Sequence, residues 1–342
     1  MTRRILDRDQ APVGPELVEG LGRGEAFSCW YTKSRRTASR RKPPVAQVTP
    51  ARGTARRIAG RYELLVKLGS GGMGEVWAAR DKHLHSHVAV KLLRPELQNQ
   101  NPEAKVRFSR EAMVLSRLRS PHVVELYDYG TDGGVPYMVM ELCEGTSLRD
   151  TLAHRGWLTA SEVRILVADI AQGLAAVHAE GIVHRDLKPS NVIICDQHVD
   201  PVAKIIDFGV ARPPASSIHM TGTRMLGSVP YLSPEQCLGE TVDRCADLWA
   251  LAVIAFRALT GSMPFDAQGL GPLMQAILNG SPPAPSSLVP ELGDGVDAFF
   301  ARAFARDPAI RFGDALQMAE LLQRALAPLC SGEHLRSDLG PC

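Results

Sequence analysis

Eight residues in a fixed order carry the chemistry open to this chain: Gly69, Gly71, Gly74, Lys91, Glu111, Asp186, Asn191 and Asp207. The glycines lie in Leu68-Gly69-Ser70-Gly71-Gly72-Met73-Gly74-Glu75-Val76, and Lys91 closes Val88-Ala89-Val90-Lys91. The last three belong to His184-Arg185-Asp186-Leu187-Lys188-Pro189-Ser190-Asn191 and Asp207-Phe208-Gly209. A glycine turn between strands lets backbone N–H groups approach phosphate oxygens that side chains would hold off. Val76 continues as a strand, and the lysine arrives on the next one. That excludes the dinucleotide turn, which opens a helix, and the loop in which lysine directly follows glycine.

A lysine among apolar strand neighbours needs a partner once buried. Glu111, in Arg110-Glu111-Ala112, is the candidate, and the pair would set the ammonium against α- and β-phosphates. Asp186 is placed to accept a bond from a substrate hydroxyl and aim it for in-line attack. Lys188 can neutralise charge on the transferred phosphoryl group, while Asn191 and Asp207 offer hard oxygen ligands suited to Mg²⁺. A lone glycine turn is most often only a tight hairpin. The ordered set describes a site that holds ATP and magnesium and passes a phosphoryl group to a hydroxyl.

The elements that must position these residues are legible in the hydrophobic pattern. Tyr62–Leu68, Val76–Arg80 and His87–Lys91 read as antiparallel strands, followed by two more around Val123–Tyr129 and Tyr137–Glu141. Between them the stretch Pro102–Arg119 has helical spacing, with Val106, Met113, Val114 and Leu118 apolar. After Gly145 helices dominate. Thr159-Ala160-Ser161-Glu162 is a capping-box signature before a run whose buried face is Val163, Leu166, Ile170, Leu174 and Val177, and Gly181 is a natural stop. Further helices are expected near Pro234–Cys237, Asp243–Thr260, Leu270–Asn279, Gly295–Ala305 and Phe312–Ala327. His83, His85 and His87 read as exposed residues of a strand connection rather than a metal site.

The chain has 342 residues, 45% of them hydrophobic and 22% charged, which is ample for a core. Its net charge of +2 points to neither nucleic acid nor membrane, but the charge is unevenly placed. Residues 1–58 hold 13 Lys/Arg against 5 Asp/Glu, so the remainder is mildly acidic. This leader is read as a disordered basic tail. Seven cysteines, without a CxxC pair, read as reduced thiols of a cytoplasmic protein. No apolar run reaches the roughly 18 residues a membrane helix needs.

With those motifs in place, the chain resembles the eukaryotic-like (Hanks-type) serine/threonine protein kinases of bacteria. The glycine turn and Tyr231-Leu232-Ser233-Pro234-Glu235-Gln236 are particularly similar to that group. The resemblance implies an α+β, two-lobed fold: a small antiparallel β lobe with one main helix over about 59–141, and a larger, mainly helical lobe over about 145–328. Residues 329–342 would be a C-terminal tail. It implies ATP with Mg²⁺, or Mn²⁺ in its place, and protein substrates phosphorylated on Ser or Thr, the specificity that Lys188 marks. Met140 would guard the back of the adenine pocket, Glu141 to Cys143 would form the hinge, Val76 and Ala89 from above and Ile193 from below would sandwich the base, and Leu68 would be a further cofactor-binding residue. Leu115, Leu126, His184 and Phe208 would stack between the lobes, anchored by Asp247, and Glu235 would pair with Arg311. Arg185 before Asp186 marks kinases switched on by phosphorylation, with Thr221 or Thr223 the expected autophosphorylation site among Ser216, Ser217, Thr221, Thr223 and Ser228. Ser228 would contact the catalytic loop. Ala252 departs from the family's usual glycine. Kinase domains of this kind could pair as homodimers. The competing readings are a pseudokinase scaffold and a small-molecule phosphotransferase; intact Lys91, Asp186, Asn191 and Asp207 oppose the first, and the Ser-Pro-Glu segment with Arg311 opposes the second.

Overall fold

In the computed structural model, which describes residues 56–71, 74–94, 102–196, 201–208 and 228–330, the β-prone runs of the first third pair into one antiparallel sheet. Its strands are β1 (Arg57–Ile58), β2 (Tyr62–Ser70), β3 (Gly74–Asp81), β4 (His87–Leu93), β5 (Leu126–Asp132) and β6 (Val135–Glu141). They lie in the order β1-β2-β3-β4-β6-β5. Alternation splits β4 between the two faces of the sheet. Val88, Val90 and Leu92 fill the outer face with Tyr62, Ala79, Tyr137 and Val139. Ala89 and Leu93 face inward with Ala78, Met138 and Met140, and Lys91 shares that inner register, opposite Val76 and Met138.

Three readings of the small lobe need correction. Arg57 and Ile58, expected in the basic tail, pair with Glu63 and Tyr62, and Ile58 is buried, so the sheet begins before residue 59. The strand expected from Val123 starts at Leu126. Val123 instead bridges to Ile205, with Val124 N–H bonding the Ile205 carbonyl at 2.9 Å, so this segment belongs to the junction with the large lobe. In α1 (Pro102–Leu115) the buried residues are Ala104, Phe108, Glu111, Ala112 and Leu115, while Val106 and Met113 are 52% and 51% exposed. The buried stripe follows i, i+4, i+7, i+8, i+11 and includes a carboxylate; Val106 and Met113, seven residues apart, lie on another flank.

The large lobe opens with a small sheet, β7 (Gly145–Ser147), β8 (Val192–Cys195) and β9 (Val202–Ile205), and with α2 (Leu148–Arg155), none of which the pattern announced. The Ser147 hydroxyl accepts from Asp150 N–H and caps α2. α3 (Ala160–Ala179) begins with the expected capping box at Thr159 and Glu162, and Arg155 binds both Glu162 oxygens. Its five expected core residues are all buried.

Beyond lie α4 (Pro234–Leu238), α5 (Cys245–Thr260), α6 (Leu270–Asn279), α7 (Pro285–Leu288), α8 (Gly293–Ala303) and α9 (Ala315–Cys330). α9 runs past residue 328, two residues into the expected tail. α5 is apolar almost all round because other elements surround it: Leu248 to Phe256 are all buried. Trp249 and Phe256 of α5 pack against Phe265, Phe300 and Phe304 with ring centroids 5.2 to 6.1 Å apart. No described helix is long and apolar enough to cross a membrane.

Candidate active site

Lys91 is 7% exposed, and its ammonium reaches out of β4 to two carboxylates. It donates to Glu111 Oε1 of α1 at 2.6 Å and to Asp207 Oδ1 of the large lobe at 2.7 Å. One charge thus ties the sheet, the helix and the opposite lobe. Burial pulls the Lys91 pKa down, but the negative charges of Asp207 and Glu111 outweigh it and hold it above the ordinary lysine range. Desolvation works on Asp207 in the opposite sense and pushes it up, yet Lys91 overrides that and holds its carboxyl below the usual value. Glu111, at 1% exposure, goes the other way: burial dominates the attraction of Lys91 and pushes it up.

The loop after α3 is pinned from several sides. Asp247 accepts from the N–H groups of His184 and Arg185, both at 2.8 Å, and from His178 Nε2 at 2.8 Å. Asp186 N–H bonds His184 Nδ1 at 3.2 Å. Burial depresses the pKa of His184, which is fully enclosed, so its neutral ring can act as that acceptor. Asn191 Nδ2 donates to the Asp186 carbonyl at 2.9 Å. Lys188 Nζ donates to Asp186 Oδ2 at 2.9 Å and to Ser228 Oγ at 2.8 Å. Ser228 therefore meets the loop that carries Asp186, the contact that the resemblance implied. Leu115, Leu126, His184 and Phe208 are all buried, with the His184 and Phe208 rings 4.9 Å apart.

Asp207 Oδ1 is taken by Lys91, but the Asp207 side chain is 49% exposed, so a carboxylate oxygen faces the cleft. Asn191 Nδ2 is held by the Asp186 carbonyl, while its Oδ1 accepts from Ser190 Oγ at 3.3 Å and keeps a second lone pair with which a cation could be bound. Two hard oxygens suit Mg²⁺, which seldom takes an all-protein cage and completes its shell with water and phosphate. The donor chemistry therefore fits the ion. Above it, Gly69 and Gly71 border open space, since a Cβ on either meets nothing within 4 Å. Gly74 has a different reason to be glycine: its Cβ would lie 2.1 Å from the Leu92 carbonyl oxygen, so the close β3–β4 approach demands it.

Ala89 and Met140 are buried and face each other across the β4–β6 ladder. Leu68, Val76 and Cys143 are half-buried against the core, and Ile193 on β8 is half-buried. Glu141 gives its N–H to the Glu125 carbonyl, and its carboxylate accepts from Lys204 Nζ at 2.5 Å, a tie that sequence alone did not suggest. The Cys143 thiol meets that of Cys195, and this bond together with burial pushes its pKa up. A second unanticipated contact is Gln236 Nε2 to the Arg185 carbonyl at 3.0 Å. Its local half was visible as the capping pattern Ser233-Pro234-Glu235-Gln236; its reach to the loop was not. Gly209 and the candidate phosphosites Ser216, Ser217, Thr221 and Thr223 lie outside the described residues.

Comparison with known proteins points the same way. The protein kinase domain model matches residues 62–323. Serine/threonine-protein kinase PknD of Mycobacterium tuberculosis is 38% identical over 269 residues, which is 78% of this chain and 40% of that protein. Serine/threonine-protein kinase PrkC of Bacillus subtilis is 36% identical over 263 residues, 77% of this chain and 40% of that one. The chain thus spans about two fifths of the length of these curated relatives. The crystal structure of the PknI kinase domain of M. tuberculosis superposes with a TM-score of 0.63 at 30% identity, covering 80% of this chain and 100% of that one.

Proposed function

The chain belongs to the protein kinase family, and from that premise we propose that it is a serine/threonine kinase moving the γ-phosphoryl group of ATP to Ser or Thr hydroxyls of proteins. The observation that carries the proposal is the Lys91 ammonium between Glu111 and Asp207, at 2.6 and 2.7 Å. It needs both lobes in register and places a fixed positive charge at the cleft, where phosphate oxygens are negative.

In this reading Gly69 and Gly71 leave the backbone open to the phosphates, and Leu68, Val76, Ala89, Met140 and Ile193 sandwich the adenine. The Cys143 backbone serves the purine edge, since the Glu141 N–H is already given to Glu125. Asp207 and Asn191 hold Mg²⁺, which when bound neutralises phosphate charge and orients the chain of phosphates. Asp186 accepts the substrate hydroxyl's hydrogen bond and aims the oxygen. Lys188, held between Asp186 and Ser228, offsets charge on the group in flight. Regulation by autophosphorylation at Thr221 or Thr223 is part of the proposal. It is supported by Arg185, whose Nε is buried without a hydrogen-bond partner among the described residues and would pair with a phosphate. Homodimerisation and a cytoplasmic location remain proposals at the same level.

The test is transfer of labelled γ-phosphate to a generic acceptor protein, with Mg²⁺ and without, beside Asp186→Asn. Label on Ser or Thr that needs Mg²⁺ and vanishes in the variant supports the kinase. ATP binding without transfer to any protein, sugar or aminoglycoside would replace it with a scaffold. Transfer to small molecules alone would replace it with a small-molecule phosphotransferase.

A further inference from the structure

Asp186 follows a residue held in an unfavourable backbone conformation. Arg185 has φ +63°, in the left-handed region, where a residue with a Cβ is strained and persists only if its surroundings fix it. Its N–H side is fixed by Asp247 at 2.8 Å. Its carbonyl side is fixed by Gln236, whose Nε2 donates to the Arg185 oxygen at 3.0 Å from the first turn of α4.

The Gln236 amide is itself oriented. Its Oε1 accepts from Ser233 N at 3.1 Å and lies 3.3 Å from Ser233 Oγ, the reciprocal half of the capping box. Exchanging the amide's oxygen and nitrogen would set N–H against N–H at Ser233 and oxygen against oxygen at Arg185, so both contacts demand the same orientation. With Oε1 spent on the cap, the NH₂ group can only turn toward the loop. Ser228, six residues before Pro234 opens α4, holds Lys188. The segment thus touches the catalytic loop at two points, one on each side of Asp186.

Building on the kinase reading of Asp186, we propose that Gln236 is a positioning residue. It couples the seating of the α4 N-terminus to the strained peptide before Asp186, and so to the aim of the Asp186 carboxylate. When residues 228–236 sit correctly, the amide holds the Arg185 carbonyl. When they withdraw, the φ +63° turn loses one of its two clamps and the aspartate loses its direction.

Gln236→Glu tests this, because glutamate at the third helical position still serves the capping box but sets a carboxylate oxygen where the amide N–H met the Arg185 carbonyl. Ser233→Ala is the control: it removes the hydroxyl from the cap and keeps the amide donor. For Gln236→Glu, kcat should fall about 10- to 100-fold while KM for ATP stays within about twofold, the signature of lost aim rather than lost binding. The ratio of variant to wild-type kcat should climb as pH is lowered, since a protonated glutamate regains an O–H donor. Hydrogen exchange of backbone amides 183–188 should quicken in Gln236→Glu and not in Ser233→Ala. Ser233→Ala should lower Tm and leave kcat within about twofold of wild type. Wild-type kcat and unchanged exchange in Gln236→Glu would overturn the proposal. So would a flat pH ratio, or a loss of kcat that Ser233→Ala matches, since either would reduce Gln236 to a helix cap. If the wild-type protein transfers no phosphate, the kinase reading fails, and the exchange measurement alone decides the positioning: unchanged exchange sinks it, quickened exchange in Gln236→Glu sustains it.

Discussion

Replacing Glu235 by Gln should unfold the large lobe far more readily than its single-atom change suggests. Glu235 and Arg311 are 5% and 2% exposed, and the guanidinium binds both carboxylate oxygens at 3.0 Å. Its remaining donors are also spent: Nε on the Ala305 carbonyl at 2.8 Å, and the others on Arg306 at 3.1 Å and Cys245 at 3.4 Å. All five N–H groups thus have acceptors, and the ring system of Trp249 lies 4.9 Å from the guanidinium carbon. Glu235→Gln leaves that cation buried with no counter-charge and turns an NH₂ toward an N–H. Breaking one side of such a pair costs about 3–5 kcal/mol, and we place this change near 3 because one acceptor survives. Arg311→Met also strips three backbone carbonyls of their donor, so it belongs near 5 kcal/mol. Against a total stability of about 5–15 kcal/mol, either is a large share. Urea unfolding followed by fluorescence reads this directly, as a fall in midpoint at constant m. The double variant should be less destabilised than the sum of the singles by at least about 1.5 kcal/mol. A Glu235→Gln midpoint within about 1 kcal/mol of wild type at unchanged m, or strictly additive singles, would refute the reasoning.

Asp186→Asn should reduce phosphoryl transfer by at least about 10³-fold while ATP affinity, measured by calorimetry, changes little. Gly71→Ala should weaken ATP binding about 3- to 10-fold without moving Tm, whereas Gly74→Ala, whose Cβ meets the Leu92 carbonyl oxygen at 2.1 Å, should cost about 2–3 kcal/mol of stability in a melting experiment. The Arg61 guanidinium, bonded to both oxygens of Asp81, holds that carboxyl down to about 2. A depressed folded-state pKa contributes stability above the ordinary carboxylate range and loses it as pH falls toward 2. Asp81→Asn should therefore cost about 1–2 kcal/mol near neutrality, a figure discounted because Arg61 is 30% exposed, and the penalty should shrink in unfolding curves taken between pH 4 and pH 2. Because its bond to Cys195 and its burial both raise its pKa, Cys143 should alkylate with iodoacetamide more slowly than an unperturbed thiol, and Cys195→Ser should change that rate.

The chemistry of the site was legible because each role demands a residue type at a place the pattern could supply. A buried strand lysine needs a carboxylate, and the helix that follows offers Glu103 in its first turn and Glu111 further along, of which Glu111 is the partner. The capping box at Thr159 and the apolar period behind it fixed the helix that leads into Asp186. The failures have physical causes as well. In α1 the buried stripe includes Glu111 and the small Ala104 and Ala112, so apolarity alone pointed to the exposed Val106 and Met113. Strand β1 is two residues long and survives by pairing with Glu63 and Tyr62, not by any pattern of its own. Val123 reads as the start of a strand because it is apolar and β-branched, but its partner is Ile205, eighty-two positions away in sequence.

A similar division separates what was seen around Asp186 from what was missed. Asp186, Lys188, Asn191 and Asp207 carry charge or hard oxygen and announce themselves by type. Gln236 and Lys204 act through side chains that also fit a helix cap and a surface cation, and their partners are distant in sequence: the Arg185 carbonyl is brought to Gln236 by the packing of the large lobe, and Glu141 reaches Lys204 only where the two lobes meet. A backbone carbonyl has no sequence signature, so a residue whose task is to hold one is invisible until the fold brings it there. The φ of +63° at Arg185 is likewise a property of the clamp rather than of arginine. In this chain the groups proposed to meet the phosphate could be read from residue type, whereas the groups that aim them could be read only from distance.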